Sequence, residues 1–366
     1  MNRLPIFLIL FWLTGNLAVA QIRTETYDDG TKKAEGNLVN GVKQGLWYEF
    51  NEKGIKVAEV NYVDGIKEGK ALTWFTNGKK QSEATYRKGK LNGMAYWWNE
   101  EGKPDMTGRL TDGLHDSAWI FYHPNGAVGS HGNFVNDKQE GPWEYFYESG
   151  SIWKKGSYEN SLKQGKWTFY YDDGKIHHTG SYVADKQDGL WMSWFSNGQV
   201  KDSGYYDNGN MTGCWRGWYE NGKPQYVAEY EKNALRDIYR SWYDNGQKKS
   251  EIHYLNGIKD GSSLEYYSNG QLKEKGSYAG GERNGFFVYL DENGLKIKEE
   301  SYVHGRPDGY WASYYANGRK QGEGTYLNLQ KNGTWQYWDE NGKLVYKGVF
   351  NNGQKVKEKR YGSEKK

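Results

Sequence analysis

The residues of this chain that could do chemistry are few and scattered. The seven histidines are His115, His123, His131, His177, His178, His253 and His304. Reduced by the 24-residue spacing that organises the rest of the sequence, they fall at seven different positions and form no ladder. None stands at a metal-ligand spacing from its Cys, Asp or Glu neighbours. His177-His178 is the only adjacent pair and reads as an exposed strand pair. Cys214 is the sole cysteine, so no intrachain disulfide can form. It occupies a column that elsewhere holds Leu, Lys, Met or Pro, which suits passive packing. Asp188, Asp260 and Asp308 precede glycines, where turn chemistry accounts for them. There is no nucleophile elbow and no phosphate-cradling glycine loop before a helix. The expectation is a non-enzyme with no catalytic residue, no metal and no cofactor.

What repeats is aromatic. Rings make up 17% of a chain that is only 36% apolar, a composition that suits a thin sheet faced with rings rather than a deep aliphatic core. One ring column includes Trp143, Trp167, Trp191 and Trp215; a second, three residues on, includes Tyr170, Trp194, Trp218 and Trp242. These eight are the candidate binding or packing ladder. If open, they would stack on sugars, choline-like cations or Pro-rich peptides; if packed on each other, they hold the sheet together. In the open case Ala71, Ala95 and Ser263 of the first column would be broken sites. The spacing of three leaves two readings, a bulge between the rings or a first ring at the strand's entry. A Tyr-dominated column (Tyr182, Tyr206, Tyr230) follows, and two residues before it stands a small residue, as in Gly180 and Gly204. Glycine there would let a neighbouring ring lie flat on the backbone.

Glycines position these rings. Gly30 begins a series continued by Gly54, Gly78, Gly102, Gly126, Gly150, Gly174, Gly198, Gly222, Gly246, Gly270, Gly294, Gly318 and Gly342, at intervals of 24 without a slip. Nine of these fourteen follow Asn, a signal for a tight hairpin with positive φ. A second column begins at Gly45 and holds in eleven of thirteen repeats, Ser117 and Asp237 being the exceptions. Two turn signals per unit imply two strands per unit. The fold expected is all-β: an elongated, single-layer antiparallel meander or solenoid of 24-residue hairpins. Residues 21–41 are expected to form a partial capping repeat supplying the returning strand, 42–353 thirteen full repeats, and 354–366 a frayed Lys-rich tail.

The 49 basic and 46 acidic residues are interspersed, which speaks against nucleic acid as a partner. Arg3, the apolar run 6–13 and Ala18-Val19-Ala20 together predict a signal peptide over residues 1–20. The chain is then exported to the periplasm or cell surface, and is not membrane-spanning after cleavage. Another envelope protein is the expected partner. A surface glycan or anionic lipid is the alternative, the latter because Lys79-Lys80, Lys248-Lys249 and Arg319-Lys320 make one edge basic.

The combined columns, as in Tyr182-(6)-Gly189-Leu190-Trp191-(2)-Trp194-(3)-Gly198, resemble the MORN repeat in its bacterial YwqK-type variant. The resemblance implies a run of β-hairpins acting as a scaffold or interaction module. The antitoxin label attached to such relatives implies, with a leader present, a neutralising role in the periplasm. Gly165-Lys166-Trp167-Thr168-Phe169-Tyr170-Tyr171 is also similar to the aromatic repeats of choline-binding wall modules.

Overall fold

The computed structural model describes residues 20–362. The predicted leader, apart from Ala20, and the last four residues lie outside the described residues. Every regular element described is a strand. The chain divides into two compact units: one runs to residue 152 and includes 158–161, and the other holds 153–157 and everything from 162. In the first, successive strands pair antiparallel from Ala20–Thr26 to Lys138–Phe146. In the second they do so from Leu162–Tyr170 to Gln354–Arg360. Each unit is thus an all-β hairpin meander. The cap is a complete hairpin, because Ala20–Thr26 supplies the strand not expected there. The Lys-rich segment does not fray at once, since Gln354–Arg360 adds a last strand to the ladder.

The Asn-Gly loops differ from the turn expected of them. In the loop from Phe75 to Lys79, the Gly78 N–H donates to the Phe75 carbonyl and the Phe75 N–H to the Lys79 carbonyl, each at 2.9 Å. Only Gly78 has positive φ, at 81°. Asn77 serves another purpose: its Oδ1 accepts from the Lys79 N–H, and its Nδ2 donates to the Glu100 carbonyl in the next hairpin's turn. Asn197, Asn221, Asn245 and Asn269 repeat both bonds. An Asp keeps the acceptor but has no donor. At Asp173 the missing donor is replaced by the Lys175 ammonium, 2.7 Å from the Ser196 carbonyl. Turns with two positive-φ residues do occur, at the opposite end of the hairpins, as in Asp64-Gly65 (49° and 78°) and Asn208-Gly209 (50° and 85°).

The second glycine column is a bulge within a strand and forms no turn. Asn37 pairs with Gln44 but Gly36 with Trp47, so Gly45 and Leu46 are pushed out of register. Gly45 has φ 70°, and the two exceptions, Ser117 and Asp237, are held in the same left-handed conformation at 59° and 62°. The ring columns, three apart, alternate to opposite faces, and a register shift does fall between them, as between Glu49 and Phe50, with its extra residue on the returning strand. Trp47 is sealed, whereas Phe50 is half-buried.

The sealed face is built as the glycine spacing predicts. A Cβ on Gly36, Gly108 or Gly132 in the first unit, or on Gly156, Gly180, Gly204 or Gly324 in the second, would overlap the indole of the next Trp. Each indole therefore lies flat on a neighbouring strand's backbone. Its Nε1–H reaches a carbonyl where the bulge interrupts the ladder: Trp47 to Asn37 and Trp215 to Tyr205, both at 3.1 Å. Where the glycine is missing the ring is usually missing too. Val60 faces Ala71, Ile252 faces Ser263, and Ala84 and Ala95 share one buried cluster. Glu300 faces Trp311, which is only half-buried. Ala71, Ala95 and Ser263 are thus fillers for narrower gaps, small where the facing residue carries a side chain.

The turn bridges give a test. Asn269→Asp keeps the contact to the Gln271 N–H but loses the 2.8 Å bond to the Glu292 carbonyl. Urea unfolding should show a loss of about 0.5–1.5 kcal/mol, the usual net worth of one such bond. Stability equal to the parent's would remove the turn ladder from the account.

Candidate functional site

Within each unit the two columns of the candidate ladder lie on opposite faces. Trp143 in the first unit, and Trp167, Trp191 and Trp215 in the second, are buried. Tyr170, Trp194, Trp218 and Trp242 are half-buried on the other face. The thirteen turn glycines from Gly54 to Gly342 all adopt positive φ and serve the loops alone. On the buried face, Tyr206 stands edge-on between Trp191 and Trp215, with centroids at 5.9 and 5.1 Å and planes 80° and 86° apart. Such edge-to-face contacts place ring hydrogens on the negative faces of their neighbours.

Two columns of this face escaped the sequence reading. One is a third ring column, two residues past each Trp, represented by Phe121, Tyr145, Phe169, Tyr289 and Tyr337. The other lies four residues before the first ring column and is Lys or Arg in six of thirteen repeats, with Gln139 before Trp143 and Pro307 before Trp311. Lys43 places its ammonium 3.9 Å from the Trp47 ring. Lys163 lies 5.3 Å from Trp167 and 4.7 Å from Tyr182, and Lys331 lies 4.2 Å from Trp335. Arg283 sits 5.2 Å from Phe287. These cations cap the ring faces that the single layer leaves uncovered. The 24-residue register was readable for both columns.

Both columns lapse together in one part of the second unit. Gln187 and Met211 stand where Lys163 does, and Ser193 and Gly217 stand where Phe169 does. A cleft of about 350 Å³ results, lined by His178, Trp191, Asp202, Tyr206, Trp215 and Tyr226 among others. His178 stacks on Phe169 at 4.0 Å, so the histidine pair is not the exposed strand pair expected. At the other side, Tyr226 lies over Gly217, where a Cβ would meet its ring. Between them Ser193 pairs with Asp202, and the Ser193 hydroxyl is buried with no hydrogen-bond partner. Burial, with a smaller contribution from His177, brings the His178 pKa down to about 4. Burial and the Asp202 charge push the Tyr226 phenol up to about 12.

Of the other histidines, His115 occupies the cationic column, 4.1 Å from Trp119 and bonded to Asp137 at 2.6 Å. His123 Nε2 meets the Phe146 carbonyl at 3.0 Å, as the Tyr171 hydroxyl does the Trp194 carbonyl. Cys214 is half-buried at a bulge position. Among the described residues no group of three or more His, Cys, Asp or Glu could hold a metal ion. No described helix is long and apolar enough to cross a membrane.

The hairpin unit itself is matched by the sequence model of the MORN repeat variant over residues 67–88, 139–160, 163–184, 187–208, 211–232, 238–256, 259–279, 307–328 and 331–352. The chain is a MORN-repeat protein. Most of the matched MORN stretches start at the cationic column, as at Lys67, Lys163, Lys259 and Lys331, and the whole open segment lies within matched repeats. No curated protein matches the chain. Solved structures that align with it include the crystal structure of TcdB2-TccC3-Cdc42, at 8% identity over 92% of this chain and 22% of that one, with a TM-score of 0.17. Another is the Photorhabdus luminescens Tc holotoxin pore, at 13% identity over 88% of this chain and 18% of that one, with a TM-score of 0.18. This MORN chain spans about a fifth of those chains, and at such scores nothing about its function follows.

The neutral, half-buried His178 sets a pH dependence. Its folded pKa of about 4 lies below the ordinary value of 6.5, so the unfolded chain binds more protons between the two. Its contribution is complete above pH about 6.5 and is lost as the pH falls towards 4. In thermal melts from pH 7 to 4, His178→Phe should lose less stability than the parent. An identical acid limb in the two proteins would contradict this.

Proposed function

We propose that this MORN-repeat chain is an exported, non-catalytic scaffold that presents one sheet face to another protein of the cell envelope. The observation that carries the proposal is on the face opposite the sealed ladder. Across much of that face, Lys–Glu pairs lie over the half-buried rings. Lys80 pairs with Glu83 and covers Trp98, and Lys248 pairs with Glu251 and covers Tyr266. The lysine column lapses from Pro104 through Pro224, with Ile176, Val200 and Pro224 in the second unit, where Lys155 still lies over the Tyr170 ring at 5.8 Å. Leu190 and Tyr205, directly opposite each other on paired strands, are 47% and 50% exposed. An uncovered apolar strip beside charged, covered repeats has the layout of a protein-binding surface. Export rests on the positive residue, apolar run and Ala18-Val19-Ala20 pattern at the N-terminus.

A pocket recurring in every repeat has no such support, because the in-register indoles are sealed by their own neighbours. The absence of catalysis is part of the proposal. It is supported by histidines that share no column and by glycines and carboxylates used in turns.

Residues 21–366, immobilised and exposed to envelope extract, should retain one protein at a fixed ratio. Leu190→Asp with Tyr205→Lys should abolish retention without lowering the melting temperature, since neither side chain is buried. Retention unchanged by the double substitution would overturn the assignment of this face.

A further inference from the structure

The open segment of the ladder lacks the cation that the chain supplies elsewhere. Over Trp47, Trp167 and Trp335 the chain's own lysine ammonium lies 3.9 to 5.3 Å from the ring. These indoles are 0–1% exposed, whereas Trp191 and Trp215 are 6% and 5% exposed. Gln187 and Met211 cannot place a charge over them. A second difference points the same way: a carboxylate, Asp202, stands between these two hairpins in a column of mixed residues, and the one other carboxylate of that column, Glu274, is met by the chain's own Arg283 at 3.6 Å. Asp202 lines one cleft with Trp191, Trp215, Tyr226 and the unpartnered Ser193 hydroxyl. Lys201, also in the lining, is exposed and directs its ammonium to the Phe195 ring at 5.8 Å.

We propose that this cleft binds an organic cation of the ammonium class, held over the Trp191 and Trp215 faces and balanced by Asp202. The volume of about 350 Å³ suits a small ligand or the end of one side chain. Ring faces attract an ammonium through their quadrupoles, and a nearby carboxylate adds the charge that rings lack. His178 stays neutral at physiological pH and so does not repel the guest. The site lies on the ladder face, and its variants leave Leu190 and Tyr205 untouched, so it stands or falls separately from the scaffold reading.

Calorimetric titration of residues 21–366 with tetramethylammonium chloride and with Nα-acetyl-lysine amide, against sodium chloride at equal ionic strength, tests the proposal. Saturable one-site binding is expected, weakened at least tenfold by Asp202→Asn. Gln187→Lys should abolish it while holding or raising the melting temperature, because it restores the chain's own cation. Tighter binding of tetramethylammonium would assign the site to a free quaternary ammonium. Tighter binding of the lysine amide would assign it to a side chain of a partner protein. No saturable binding of either probe to the parent, or equal binding by the parent, Asp202→Asn and Gln187→Lys, would overturn the proposal.

Discussion

A hairpin of 24 residues has no second layer to bury its side chains against, and the device that replaces one here is an indole laid flat on a neighbouring strand's glycine. Removing the Cβ brings the ring into contact with the backbone itself, and the bulge beside it leaves a carbonyl within reach of the indole N–H. Burial and hydrogen bonding are met by one residue. The rest of the face follows from that placement: edge-on tyrosines fill the gaps between indoles, and lysines cover the faces left open. Since each ring rests on the next strand, a hairpin gains its core only from its neighbour, which is the energetic basis of a repeat array.

The same constraint explains the irregular repeats. Space over each backbone position is finite, so a side chain at the glycine position calls for a small residue at the ring position. Val60 with Ala71 and Ile252 with Ser263 obey this, and Glu300 leaves Trp311 less completely covered. In the segment from His178 to Tyr226 the glycine–indole pairs persist while the ring and lysine that normally cover them are absent. Scaffold and opening are therefore set by different columns, and a site can be varied without dismantling the sheet.

Much of this was legible in the sequence. The 24-residue register, the all-β class, the MORN resemblance and the glycine that admits a ring were all written in single columns. Less legible were features that depend on pairing between columns. Asn77 reads as a turn former, yet its amide bonds a carbonyl in the next hairpin, which only the stacking of turns reveals. Gly45 reads as a turn and is a bulge, because positive φ serves both. His178 reads as half of an exposed strand pair and Asp202 carries no signal, and only strand pairing places Ser193 beside both and Gly217 beside Asp202. The lysine column before the indoles was present at the same register but carries no signal of its own until the rings are placed beneath it.

The claim that the glycine–indole pair carries the fold is tested most directly by a double-mutant cycle on Gly324 and Trp335 in urea unfolding. Trp335→Ala alone should cost about 3–5 kcal/mol, the range for truncating a buried large ring. Gly324→Val alone forces the ring off the backbone and should cost at least about 1–3 kcal/mol. Combined, they recreate the Val60–Ala71 arrangement. The double variant should lose less than the sum by about 1–3 kcal/mol, the scale of coupling between residues in contact. Additive losses would mean that ring and glycine act independently and that the pair does not carry the fold.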